Sequence, residues 1–225
     1  MDPAGRRLQT RRLGRVPYAD AQRLQEDLVR RRRAGEVDDQ LLLLEHPHVI
    51  TLGTGADRTH LLAAEEERRV RGVELHESGR GGDITYHGPG QLVGYPILDL
   101  KPDRKDLHRY LRDLEEVLIL TLEEFGIVAR RSSGFTGVWT DEGKIAAIGV
   151  RVSSGWITSH GFALNVSTDL DYFGMIVPCG LDNRAVASIE SVLGRPVELA
   201  EAMAGVERQM RAVFGVVEGA PVREG

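Results

Sequence analysis

The chain has 225 residues, 41% hydrophobic and 28% charged, a size and balance that predict a single globular domain, 1–225, with a substantial core. A net charge of −5 argues against general affinity for nucleic acid or an anionic membrane, and no apolar run approaches the length of a bilayer span. One cysteine excludes an intrachain disulfide; with no apolar segment behind the N-terminal arginines to act as a secretory signal, it predicts a reducing, cytoplasmic setting for a monomer or small oligomer.

Residues 1–16 are basic and read as irregular, with Leu8 and Leu13 able to begin an edge strand. Pro17 suits the start of a helix ending near Gly35, with Ala21, Leu24 and Leu28 on one stripe and Arg30 to Arg33 on the solvated side. Gln40 to Glu45 reads as a buried strand and Val49 to Gly53 as another. A short helix over Leu61 to Val70 and a strand over Val73 to His76 lead into a glycine-rich stretch. Within it Asp83 to Tyr86 alternates like a strand, and Gln91 to Leu98 resumes extended character. Leu107 to Phe125 carries the strongest helical period, and Gly126 stands where a left-handed cap belongs. Ile127 to Arg130, Gly137 to Thr140, Lys144 to Val152 and Trp156 to Val166 are strand-like, and Leu199 to Phe214 is amphipathic at helical spacing. Strands outnumber helices and several are adjacent, which predicts an α/β (α+β) fold with a mixed sheet flanked by helices.

Arg80 to Gln91 packs four glycines, a proline, an arginine, a tyrosine and a histidine into one short run. Such a run either makes a demanding hairpin or lets backbone pass close to a ligand; it lacks the Gly-Lys-Ser/Thr of a phosphate loop. Cys179, between Pro178 and Gly180, is the sole thiol, either a small buried hydrophobe or a nucleophile. A thiolate needs a nearby cation or histidine. Lys144, at the head of an apolar strand, is one source, although strand-end lysines are commonly solvated; His160 is another. His46 and His48 straddle a proline without further neighbouring ligands, so a metal site ranks last.

Taken in order, these motifs resemble the octanoyltransferases of lipoate biosynthesis, the lipoate–protein ligase B family. The resemblance covers about residues 8–215. It is carried by Glu45-His46-Pro47, Arg80-Gly81-Gly82, Thr85-Tyr86-His87, Pro89-Gly90-Gln91, Lys144-Ile145-Ala146, His160-Gly161, Ala163-Leu164-Asn165 and Pro178-Cys179-Gly180. It implies the fold of the biotin and lipoate protein ligase catalytic domains. It implies that octanoyl passes from acyl carrier protein to Cys179 as a thioester, and then to a lysine of a lipoyl domain. The acceptors would be the E2 subunits of 2-oxoacid dehydrogenases and the glycine cleavage H protein, and neither ATP, metal nor another cofactor is required. Lys144 would lower the Cys179 pKa and shuttle protons. Arg80, Gly81, Gly82, Asp83, Ile84, Thr85, Tyr86 and His87 would line the acyl site with Ala147, Ile148, Gly149, Gly161, Phe162 and Ala163. His46 and His160 would support it.

Three rivals stand beside this reading: an ATP-dependent ligase on the same fold, a Cys179/His160 thiol hydrolase, and a non-catalytic acyl-binding module. Because acyl carrier proteins and lipoyl domains are typically acidic, a local basic rim from Arg30 to Arg33, Lys101, Arg104, Lys105, Arg130 and Arg131 is also expected.

Overall fold

A strand turns alternate side chains to opposite faces, and in Leu41 to Leu44 both alternations are apolar. Leu41 and Leu43 enter one core and Leu42 and Leu44 another, all four at 0% exposure. Such a strand needs a layer on each side. The computed structural model, which describes residues 6–177 and 185–218, supplies both.

In chain order the elements are β1 (Arg7–Arg15), α1 (Tyr18–Arg33), β2 (Asp39–Glu45), β3 (Val49–Leu52), α2 (Glu65–Val70), β4 (Glu74–Glu77), β5 (Ile84–His87) and β6 (Gln91–Ile97). Then follow α3 (Leu107–Glu124), β7 (Arg130–Ser132), β8 (Phe135–Trp139), β9 (Lys144–Val152), β10 (Thr158–Asn165), α4 (Ile189–Leu193), α5 (Leu199–Phe214) and β11 (Val217–Glu218). Among the described residues, strands in the order β11-β1-β2-β6-β10-β9-β8-β7 form one eight-stranded sheet, and β4-β3-β5 a three-stranded one. In the large sheet β1 is parallel to both neighbours and the other pairs are antiparallel, so the sheet is mixed.

α3 and α5 pack together over one face of the large sheet, on Leu41, Leu43, Leu92, Phe162 and Leu164. α3 forms where the sequence pattern places it. Asp106 caps its first turn by accepting the Arg109 N–H at 3.0 Å, and Tyr110, Leu114, Val117, Leu118 and Leu122 form its buried stripe. α1 covers part of the opposite face, over β6 and β10. Toward β9 that face is covered by the glycine-rich stretch instead, and the cleft opens there.

Several expectations shift. β1 is a nine-residue strand and lies inside the sheet edge, because Arg7 and Leu8 pair with Val217 and Glu218. One of its basic residues, Arg12, reaches Glu207 at 2.7 Å instead of solvent alone. α2 begins at Glu65, since the backbone of Leu61 is extended and bridges Ile176. The strand expected over Ile127 to Arg130 starts only at Arg130; Val128 is 85% exposed, so the apolar run does not alternate into a core. Trp156 has φ 63 in the turn before β10, which delays that strand to Thr158. α4 was not anticipated; Ser188 and Ser191 form its capping box and Gly194 closes it in the left-handed region.

Candidate active site

The cleft has a floor of sheet and a roof of glycine-rich backbone. Its floor comes from three adjacent strands: Val93 and Tyr95 of β6, Gly161, Phe162 and Ala163 of β10, and Ala147, Ile148 and Gly149 of β9. Ala147 stands opposite Ala163 and Gly149 opposite Gly161, so the middle of the floor carries methyls or bare backbone.

Loop 78–83 forms the roof. The Gly81 N–H donates to Val150 O at 2.9 Å, and Arg80 O and Gly82 O accept from Thr54 N and Gly55 N at 2.9 and 3.1 Å. A Cβ on Gly149 would lie 2.9 Å from Gly81 O, so the close approach of roof to floor requires glycine there. Gly82 has φ 90, a conformation other residues rarely adopt, and this is a demand of the loop itself. Arg80 is buried and donates to Thr51 O at 2.7 Å and Thr51 Oγ1 at 2.9 Å, tying the roof to β3. Asp83 bolts the other end: Oδ1 accepts from Asp57 N at 3.0 Å and Oδ2 meets His60 Nδ1 at 2.5 Å.

Of β5, Thr85 and His87 line the cleft; Ile84 borders it but packs with Tyr86 in the core of the small sheet, and Tyr86 does not line it. Strand alternation turns its ring into the core of the small sheet, where its hydroxyl meets His48 Nδ1 at 2.8 Å and its ring stacks 5.2 Å from that of Tyr172. The expectation that the Tyr86 side chain lines the acyl site is therefore corrected.

His46, His87 and His160 are held neutral. Gln91 Nε2 donates to Tyr86 O and Asn165 Oδ1, at 3.2 and 2.9 Å, so its Oε1 accepts, at 2.7 Å, a proton carried on His87 Nδ1. That leaves His87 Nε2 as the acceptor nitrogen. Burial chiefly, then neighbouring His46, drives the His87 pKa down to about 3. His46 lies behind the lining residues. Its Nδ1–H donates to Val16 O at 2.7 Å, Nε2 accepts from the Tyr95 hydroxyl at 2.8 Å, and burial lowers its pKa to about 4. His160 does line the cleft; burial, then Arg80 and Arg151, lowers it to about 4.

Lys144 stands at one end of the floor, 7% exposed, with Nζ 5.1 Å from the centroid of the Trp139 ring. Its N–H donates to Ala185 O and its carbonyl accepts from Ala187 N, at 2.9 and 3.0 Å. The segment that follows Cys179 in sequence is thus laced to the head of β9. Asn165 Nδ2 adds a bond to Ala187 O at 2.9 Å. Cys179 itself lies outside the described residues, as do Pro178 and Gly180. Lys144 also borders a small neighbouring cavity that shares Thr85, Ala147 and Ala163 with the cleft.

Three lining residues, Tyr18, Val93 and Tyr95, escaped the sequence reading. Tyr95 follows Val93 at strand spacing just after the glycine-rich stretch, and that alternation was an available signal. Tyr18, from the first turn of α1, donates to Ser78 Oγ at 2.7 Å and has no local mark of its place. Most of the arginines expected in a basic rim pair with carboxylates of the same chain. Arg30 and Arg31 pair with Asp27, Arg32 with the buried Asp39, Arg104 with Asp113, Arg130 with Asp141, and Arg131 with Glu115 and Glu116.

Residues 17–211 match the family model of the lipoyl protein ligase A/B catalytic domain. The chain belongs to this family. It is 56% identical to an octanoyltransferase of Rubrobacter xylanophilus, over 95% of each chain. To an octanoyltransferase of Acidobacterium capsulatum it is 50% identical, over 90% of this chain and 88% of the other. Among solved structures it is similar to a putative lipoate protein ligase from T. acidophilum, with a TM-score of 0.76 and 19% identity, over 97% of this chain and 88% of the other. It is also similar to a biotin protein ligase from Aquifex aeolicus, with a TM-score of 0.53 and 14% identity, over 93% and 68%. At these identities the two structures share the fold, a mixed sheet flanked by helices. Among the described residues of this family member, no helix is long and apolar enough to cross a membrane.

Proposed function

We propose that this protein is an octanoyltransferase acting in the cytoplasm. It takes octanoyl from acyl carrier protein and passes it through a Cys179 thioester to a lysine of lipoyl domains, those of 2-oxoacid dehydrogenase E2 subunits and of the glycine cleavage H protein. The observation that carries the reading is the narrow apolar cleft ending at a buried lysine, in a chain 56% identical to an octanoyltransferase. The Ala147, Ala163, Gly149 and Gly161 floor takes a methylene chain, each buried CH₂ contributing about 0.8 kcal/mol.

The chemistry balances without ATP. Lys144 takes the Cys179 proton, leaving thiolate beside ammonium. The thiolate attacks the carrier-bound thioester carbonyl, and the expelled phosphopantetheine sulfur takes its proton from Lys144. In the second half-reaction the neutral amine of the acceptor lysine attacks the acyl-Cys179 carbonyl, Cys179 leaves as thiolate, and the surplus amine proton goes to Lys144. Thioester exchange is nearly isoenergetic and thioester-to-amide transfer is downhill. His87 and His160, neutral in the cleft wall, serve as hydrogen-bonding groups without charge.

Intact-mass measurement tests this. Octanoyl-acyl carrier protein alone should add one octanoyl to the chain, labile to hydroxylamine, and apo lipoyl domain should discharge it. A requirement for ATP would replace this reading with the adenylating ligase. Discharge to water at the same rate without acceptor would favour the hydrolase, and no adduct at all the binding module.

A further inference from the structure

α3 carries a carboxylate where a hydrophobe would pack. Glu115 is 0% exposed among the helix's buried residues. A buried charge is costly unless paired, and an apolar residue of similar size is often at least as stabilising. Two arginines compensate it: Arg112 Nη1 and Arg131 Nε donate to Oε2 at 2.5 and 3.1 Å. Oε1 is directed elsewhere and accepts the backbone N–H of Gly137 at 3.1 Å.

Gly137 sits where the ladders of β8 are irregular. The register against β9 shifts between Val138 and Trp139, and that against β7 shifts across Arg130 and Ser132. Its φ is 135, and a Cβ there would lie 2.9 Å from Lys144 Cε, 2.6 Å from Ala146 O and 3.4 Å from Trp139 Cη2. The bare Cα of Gly137 is therefore one wall of the berth of the Lys144 side chain, and the Trp139 ring is another.

We propose that Glu115 is a positioning residue for Lys144: its carboxylate holds the Gly137 N–H and so sets the wall against which the lysine side chain lies. This rests on the reading of Lys144 as the cation that ionises Cys179. Glu115 touches neither the cleft nor the lysine, and it acts through backbone.

The test is the pH dependence of iodoacetamide alkylation in the full chain, where Cys179 is the only thiol to react. Lys144→Ala moves the half-maximal pH upward by about one unit or more. Glu115→Met removes the acceptor but keeps apolar volume, and Arg131 retains Glu116 at 2.6 Å. It moves the profile in the same direction, and Glu115→Met combined with Lys144→Ala moves it no further than Lys144→Ala alone. Glu115→Gln still offers an oxygen to Gly137, so its profile stays at the wild-type position while its Tm falls. Gly137→Ala shifts the profile as Glu115→Met does. A Glu115→Met protein with an unmoved profile overturns this inference alone, provided Lys144→Ala has moved it. An unmoved Lys144→Ala overturns the lysine reading and this inference together. A Glu115→Gln shift as large as that of Glu115→Met, or an unmoved Gly137→Ala, also overturns the role of the Gly137 bond.

Discussion

The two faces of the eight-stranded sheet use the same strands to opposite ends. On the helical face, Leu92 and Leu164 pack in one core with α3 and α5. One residue along, on the other face, Val93, Gly161 and Ala163 meet a roof of backbone in place of a helix. Because side chains alternate, a strand can be large on one face and small on the other at no cost to its ladder. Interiors pack closely, so an apolar cleft survives only where small side chains face a partner that cannot sink toward them. Here the roof is pinned by Gly81 N to Val150 O and by Arg80 to Thr51, which sets its height above the floor.

The largest break in this comparison comes at the end of the cleft face. Cys179→Ala should reduce transfer by about 10³-fold or more, and Lys144→Ala by about 10²- to 10⁴-fold, each with a cooperative thermal transition. Near wild-type turnover by Cys179→Ala, measured with carrier-bound octanoyl, would refute the covalent route.

Neighbours on one strand sharpen the contrast. Leu164→Ala, on the helical face, should cost about 2–5 kcal/mol of stability while the remaining folded protein keeps its kcat/KM. Ala163→Leu, on the cleft face, should reduce octanoyl transfer by about 10- to 200-fold, the range for added methylenes in a tight pocket, and should penalise shorter acyl chains less. Equal effects of the two variants on Tm and on transfer would erase the distinction between the faces.

Acid should loosen the cleft face first. His46, His87 and His160 have folded pKa values lowered from 6.5 to about 4, 3 and 4, chiefly by burial. Below pH 6.5 the unfolded chain binds protons that the folded chain refuses, so stability is complete above 6.5 and falls as pH drops toward 4. By pH 5 the loss is about 2 kcal/mol per histidine. Urea midpoints at pH 7.5 and 5.0 measure it; identical midpoints would mean that these histidines ionise within the fold.

The smallest expected effect is that of salt. Since most of the arginines thought to form a rim are paired internally, raising ionic strength should change the apparent KM for octanoyl-acyl carrier protein by only about twofold relative to a small thioester donor. A steep, donor-specific salt response would point to a basic surface outside these pairs.

Strong periodicity made much of the fold legible. α3, α5, β2 and β9 lie where spacing places them, because each buries a stripe or face whose period shows in a single segment. The glycines, Lys144 and the apolar residues of β9 and β10 were legible as a cleft through ordered motifs, since close backbone approach restricts residue type locally. The sequence alone thus determined most of the elements, the family resemblance and most of the stretches that line the cleft. Tertiary structure alone decided which way each side chain faces and what neutralises it. Tyr18 and Tyr95 come to one cleft from separate elements, Tyr86 turns away on a strand whose neighbours line it, and the arginines find carboxylates across the fold. Glu115 reads as an ordinary helical acid until packing sets its carboxylate beneath Gly137. Period and propensity are properties of one segment, whereas burial, pairing and proton affinity belong to contacts between segments, and those exist only once the chain has closed on itself.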